Sequence, residues 1–147
     1  WLSAQNLIPD SPNMTPERRK KRAGIIEGNA RVWPMAKKHG VKLAWGTDLL
    51  FEPELNAQQS NLILALRQWF TPAEILKMVT YDNAQLLALS GPRAPYEGKL
   101  GIVEEGALAD LILVNGDPLA NLDLIASPAK NFSVIMKDGV VYKEAGR

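Results

Sequence analysis

The chain of 147 residues contains no cysteine and only one histidine. Without cysteine there is no disulfide framework, no thiolate nucleophile and no thiolate zinc site. One histidine excludes an HxH pair, an HExxH helix and a three-histidine zinc centre built by this chain alone. No run of about 18 uncharged apolar residues occurs, which excludes a helix of membrane-spanning length. Neither sign of charge is in excess, since 17 Lys and Arg face 16 Asp and Glu. With 46% hydrophobic and 22% charged residues, the composition is that of an ordinary globular chain. Its first residue is Trp1 rather than Met. The chain is therefore expected to be a piece of a longer polypeptide. No signal peptide can be read, and localisation stays open between cytoplasmic and exported.

Charge is uneven along the chain. Residues 1–40 hold eight Lys/Arg and three Asp/Glu, whereas residues 41–147 hold nine and thirteen. The positive excess is concentrated in Arg18, Arg19, Lys20, Lys21 and Arg22. A basic run can bind nucleic acid, but no aromatic residue interleaves with this one. It reads as the solvated face of a helix, and neither nucleic acid nor a membrane is expected as a partner.

Residues 1–14, with Pro9, Ser11 and Pro12, read as a loop. Thr15-Pro16-Glu17 then opens a helix with a cap, a proline at the first helical position and an acid in the first turn. Ile26, Ala30 and Trp33 give this helix an apolar face, Pro34 should kink or split it, and Gly40 can close it. Val41 to Trp45 reads as a buried strand running into Gly46-Thr47-Asp48. A second helix is expected over 56–69, with Leu62, Leu66 and Trp69 buried. Thr71-Pro72-Ala73-Glu74 is a capping box that opens a third helix, running to about Thr80. Asp82 can cap a short fourth one that ends at Ser90-Gly91. Gly91-Pro92 and Ala94-Pro95 make a linker, and beyond it the chain turns to β. Leu108–Val114 is apolar apart from Asp110, and Gly116-Asp117-Pro118 turns the chain. Two runs at 132–137 and 140–143 flank Asp138-Gly139, the signature of a hairpin.

Asp48 is the first candidate for chemistry. It follows the expected strand by three residues, and in βα architectures reacting groups project from the carboxyl ends of strands. A carboxylate there can hold a divalent metal or accept a proton, or it can simply cap the next helix. Glu52 and Glu54 could line a pocket or be ordinary loop carboxylates. His39 sits in a helix terminus where a cation suits the dipole. Glu104-Glu105-Gly106 reads as a solvated turn. Asp110, in an apolar run, needs partners, and backbone N–H donors or a neighbouring turn are expected. Lys99-Leu100-Gly101 lacks the glycine spacing of a phosphate loop.

Taken in order, several of these pieces resemble a known family. They are Gly46-Thr47-Asp48, Thr71-Pro72-Ala73-Glu74 with Ala84, the run KLGIVEEGALADLILV from Lys99 to Val114, Gly116-Asp117-Pro118-Leu119, and Met136-Lys137-Asp138-Gly139-Val140-Val141-Tyr142. The series, spanning residues 25–145, resembles the C-terminal end of the metal-dependent amidohydrolase superfamily. Within it, the imidazolonepropionase-like and Xaa-Pro-dipeptidase-like branch is the nearest. The resemblance implies an α/β fold: the C-terminal portion of a (β/α)8 TIM barrel plus C-terminal strands of a small composite β-sandwich. Residues 1–90 would be the last βα units of the barrel and residues 91–147 the chain's share of the sandwich. A complete barrel needs roughly 250 residues.

The same resemblance implies hydrolysis of C–N bonds with one or two divalent metals, usually zinc, as cofactor. Asp48 matches the family's aspartate at the end of strand eight, which binds metal and shuttles a proton. The substrate-binding residues are not indicated. The family's HxH pair, bridging lysine or glutamate and further histidines are missing and would lie before Trp1. The chain alone is thus expected to be inactive. Its expected partners are the N-terminal part of the same enzyme or a companion chain, a small-molecule substrate, and a copy of itself. The competing expectation is a non-catalytic module that only packs against another polypeptide. In either case the faces carrying Ile26, Trp33, Leu62, Leu66 and Trp69 should lack part of their packing.

Overall fold

The computed structural model describes Asp10, residues 12–47, Leu49 and residues 53–146. Thr15 is extended, and its hydroxyl accepts the Arg18 N–H at 3.3 Å, so α1 (Pro16–Lys38) opens on a side-chain cap. Pro34 does not split the helix, which corrects one of the two effects expected of it. A proline removes only one donor, and the rest of a 23-residue ladder carries the helix past it. Gly40 closes α1 at φ 62°, with Gly40 N–H bonded to Lys37 C=O at 3.2 Å and Val41 N–H to Ala36 C=O at 3.0 Å. These are the two bonds of a Schellman motif, which satisfies the last carbonyls. The buried face is Asn29, Trp33 and Ala36, while Ile26 is half-buried and Ala30 exposed. Arg18, Arg19, Lys20 and Lys21 are exposed, and Arg19 and Arg22 pair with Asp10, as a solvated basic face should.

The helix expected over 56–69 is broken into α2 (Pro53–Asn56), α3 (Gln59–Leu62) and a 3₁₀ stretch, Ile63–Gln68. The tighter winding stacks residues three apart, and Leu62 and Ala65 are both buried beside Leu66. Thr71 then forms the expected capping box: its N–H donates to Glu74 Oε2 at 2.8 Å, and its hydroxyl accepts the Glu74 N–H at 3.3 Å. The helix it starts, α4 (Pro72–Lys77), does not stop near Thr80. It widens into a π turn, Met78–Asp82, and continues as α5 (Asn83–Ala88). Asp82 is consequently inside the helix and makes no side-chain cap. It pairs with Lys77 instead, five residues back, the spacing a π turn brings together.

Trp33, Leu66, Phe70, Ile75, Met78 and Leu122 form the core, with the Phe70 ring edge-on to Trp33 at 5.8 Å. Trp33, Leu62 and Leu66 are therefore buried, which corrects the expectation for these three, while Ile26 and Trp69 are only half-buried. The helices find partners in one another and in Leu122, just ahead of α6 (Asp123–Ala126). Residues 41–47 form no strand, which corrects the buried strand expected at Val41–Trp45. A strand exists only through its ladder, and no strand lies beside this segment among the described residues.

The second half holds β1 (Leu111–Val114), α6, α7 (Pro128–Asn131), β2 (Phe132–Lys137) and β3 (Val140–Glu144). The strands form one antiparallel sheet in the order β1-β2-β3. Lys137 pairs with Val140 across Asp138 (φ 52°) and Gly139 (φ 74°), the two positive angles of a type I′ turn. The hairpin is where the sequence placed it. Ile112, Leu113, Val140, Val141 and Tyr142 are exposed. The fold is thus an α/β arrangement with a small antiparallel sheet whose apolar strands are only partly covered. Among the described residues, no helix is long and apolar enough to cross a membrane.

Candidate functional site

Asp48, the first candidate carboxylate, lies outside the described residues, as does Glu52. The chain leading to Asp48 is described, and it borders a cleft. That cleft encloses about 730 Å³ between the helical half and the sheet half, with Trp45, Gly46, Thr47, Val79 and Asn83 on one side and Gly101 on the other. A second cleft of about 480 Å³ lies between α5 and the loop carrying Tyr96 and Lys99. Its charged groups Lys99 and Glu104 neutralise each other as an ion pair.

Two backbone features shape the first cleft. Gly101 holds φ 72°, and a Cβ there would sit 2.6 Å from the Thr80 carbonyl oxygen in the π turn. Only glycine meets both constraints, so the loop from the sheet half can press directly on the helix. On the other wall, Oδ1 of Asn83 accepts the Trp45 N–H at 2.8 Å, and Nδ2 donates to the Trp45 carbonyl at 2.9 Å. Sequence reasoning missed Asn83. Its signal was a polar residue completing the spacing of Ile75 and Val79, four residues apart, on a largely buried helix face.

The remaining candidates are not brought together. His39 is the C-cap of α1, in the structural role its position suggested. Glu54 lies exposed in the first turn of α2. Glu104, Glu105 and Gly106 form an exposed turn. Asp110 precedes β1, where its Oδ1 accepts the Asp138 N–H at 2.8 Å and Lys137 lies 3.7 Å from Oδ2. It has the turn partner expected of it, although the residue is exposed rather than buried. The Glu74 carboxyl is held below the usual carboxylate pKa first by the Lys37 ammonium and then by the Thr71 N–H, contacts that tie the start of α4 to the end of α1. Among the described residues, no three His, Cys, Asp or Glu side chains converge as metal ligands. This donor set does not fit a metal ion by itself.

The sequence profile of the amidohydrolase family matches residues 4–143. No curated protein sequence matches the chain. Among solved structures, it is similar to an amidohydrolase at 29% identity and a TM-score of 0.75, over 92% of this chain and 30% of that one. A Xaa-Pro dipeptidase with methionine bound in its active site matches at 28% identity and a TM-score of 0.73, over 97% and 33%. A prolidase complexed with N-methylphosphonate-L-proline matches at 26% and 0.73, over 90% and 30%. The chain spans about a third of the length of each.

Proposed function

The chain belongs to the amidohydrolase family, and from that premise we propose that it is the C-terminal share of a metal-dependent hydrolase of C–N bonds. The observation that carries this reading is the family match over residues 4–143, with a prolidase and a Xaa-Pro dipeptidase among the similar structures. Residues 1–90 would be the last βα units of a (β/α)8 barrel, and residues 91–147 part of a small sandwich. A peptide-like or cyclic amide is the substrate class. The cofactor would be a divalent metal, with zinc as the expected ion. This chain offers it Asp48, and the histidine ligands would come from the polypeptide that supplies the other two thirds of the enzyme. A carboxylate in that position can also accept a proton.

The open sheet supports the need for more polypeptide. Leu111, Ile112, Leu113 and Val114 are consecutive apolar residues, a pattern suited to a strand covered on both faces. Ile112 and Leu113 are more than half exposed. Burying each such side chain is worth about 1.5–3 kcal/mol. The competing reading is a non-catalytic module that packs on another polypeptide. Intact mass, metal analysis and sedimentation of purified material separate the two. A second polypeptide bearing the histidines, with near-stoichiometric zinc, is expected for the hydrolase. A homogeneous 16.2 kDa monomer without zinc would overturn it.

A further inference from the structure

We infer that Asn83 is a positioning residue, whose side-chain amide sets the direction in which the chain leaves Trp45 for Gly46, Thr47 and Asp48. The two bonds it makes to Trp45, at 2.8 and 2.9 Å, are a donor and an acceptor from one planar amide. A side-chain amide has the same groups as a peptide unit, so Asn83 occupies the place of a neighbouring strand for one residue. Those two bonds orient the peptide groups on both sides of Trp45. Gly46, with no side chain, adds no steric guidance of its own.

The π turn aims Asn83. An α-helix turns about 100° per residue, so the residue inserted by a π turn rotates all that follows by roughly that angle. Asn83 is the first residue after Met78–Asp82, and its Nδ2 also approaches the Val79 carbonyl at 3.4 Å. The Thr80 hydroxyl donates to the Leu76 carbonyl at 2.7 Å within the same segment. Gly101 presses on Thr80 and Tyr81 from the other side. The sheet half thus supports the turn, the turn aims the amide, and the amide holds Trp45. The inference rests on the reading of Asp48 as the reacting carboxylate, and it adds the group that places the segment carrying it.

Hydrogen exchange measured by NMR on the full chain, together with turnover by the complete enzyme, tests this. Asn83→Leu keeps the size and removes both bonds. Exchange of the Trp45 N–H should accelerate roughly tenfold or more, while Ala145, whose N–H bonds to Ser133 across the hairpin, keeps its rate. Asn83→Asp keeps the acceptor but sets a carboxylate oxygen against the Trp45 and Val79 carbonyls, so Trp45 exchange should accelerate in it as well. Unchanged exchange at Trp45 in Asn83→Leu overturns the inference, and so does equal acceleration at Ala145, which would mark a purely structural residue. Full Trp45 protection in Asn83→Asp, which cannot donate to the Trp45 carbonyl, overturns it as well. In the complete enzyme, Asn83→Leu should lower kcat for an alanyl-proline dipeptide by about 10²-fold at constant KM. An unchanged kcat would leave no positioning role. Retained turnover in Asp48→Asn would instead defeat the functional reading, while Trp45 exchange would still decide whether Asn83 holds the segment.

Discussion

Oδ1 of Asp110 accepts the backbone N–H of Asp138 at 2.8 Å, tying the residue before β1 to the turn between β2 and β3. A second bond, from Gly139 N–H to the Ala109 carbonyl at 3.2 Å, repeats the tie one residue over on each side. Asp138 is the first of the two turn residues, so its N–H has no partner in the hairpin ladder, and the Asp110 carboxylate supplies one. Asp110→Ala removes that acceptor. Since the carboxylate is partly solvated, the cost should be about 1 kcal/mol, seen as a Tm lower by a few degrees. Asp110→Asn, which keeps an acceptor, should recover most of the loss. Equal melting of all three proteins would show that the bond contributes nothing.

Gly101 and Gly139 both have positive φ but differ in surroundings. A Cβ on Gly139 would meet nothing within 4 Å, whereas one on Gly101 would collide with the Thr80 backbone. Gly139→Ala should therefore cost only the conformational term, about 1–2 kcal/mol. Gly101→Ala should cost more, since the loop must lift off the π turn. Urea denaturation gives the comparison. A Gly101→Ala variant as stable as Gly139→Ala would show that this contact is loose.

Glu74 contributes a pH-dependent share of stability. Its acidity is raised first by the Lys37 ammonium, 2.9 Å from Oε2, and then by the Thr71 N–H. A carboxyl depressed in the folded state stabilises the protein above its unfolded value of 4.5 and loses that contribution as pH falls through the folded value. Glu74→Gln preserves the capping box and removes the charge. Its Tm should lie about 2 °C below wild type at neutral pH, with the gap closing in acid. A gap that widens in acid would contradict the sign.

Asp48→Asn tests the assigned carboxylate in the complete enzyme. The substitution keeps the shape and loses both the charge and the capacity to accept a proton, so the rate should fall by at least about 10²-fold. More than about a tenth of the activity remaining would remove Asp48 from the chemistry.

What the sequence by itself determined is local. Thr15-Pro16, the Thr71–Glu74 box, Gly40 and Asp138-Gly139 were each legible because caps and tight turns are decided by a few neighbouring residues. The series of motifs from Gly46 to Tyr142 was likewise enough to point to the amidohydrolase family. The tertiary structure decided everything that depends on a partner distant in sequence. Leu122 reaches the core to complete the packing of Trp33 and Leu66, which no periodicity in either segment reveals. The helix begun at Thr71 runs on through a π turn, and Gly101, from the far side of the linker, packs against that turn at Thr80. Val41–Trp45 has the composition of a strand, yet a strand requires a ladder, and here the Asn83 side chain supplies the two bonds to Trp45 instead.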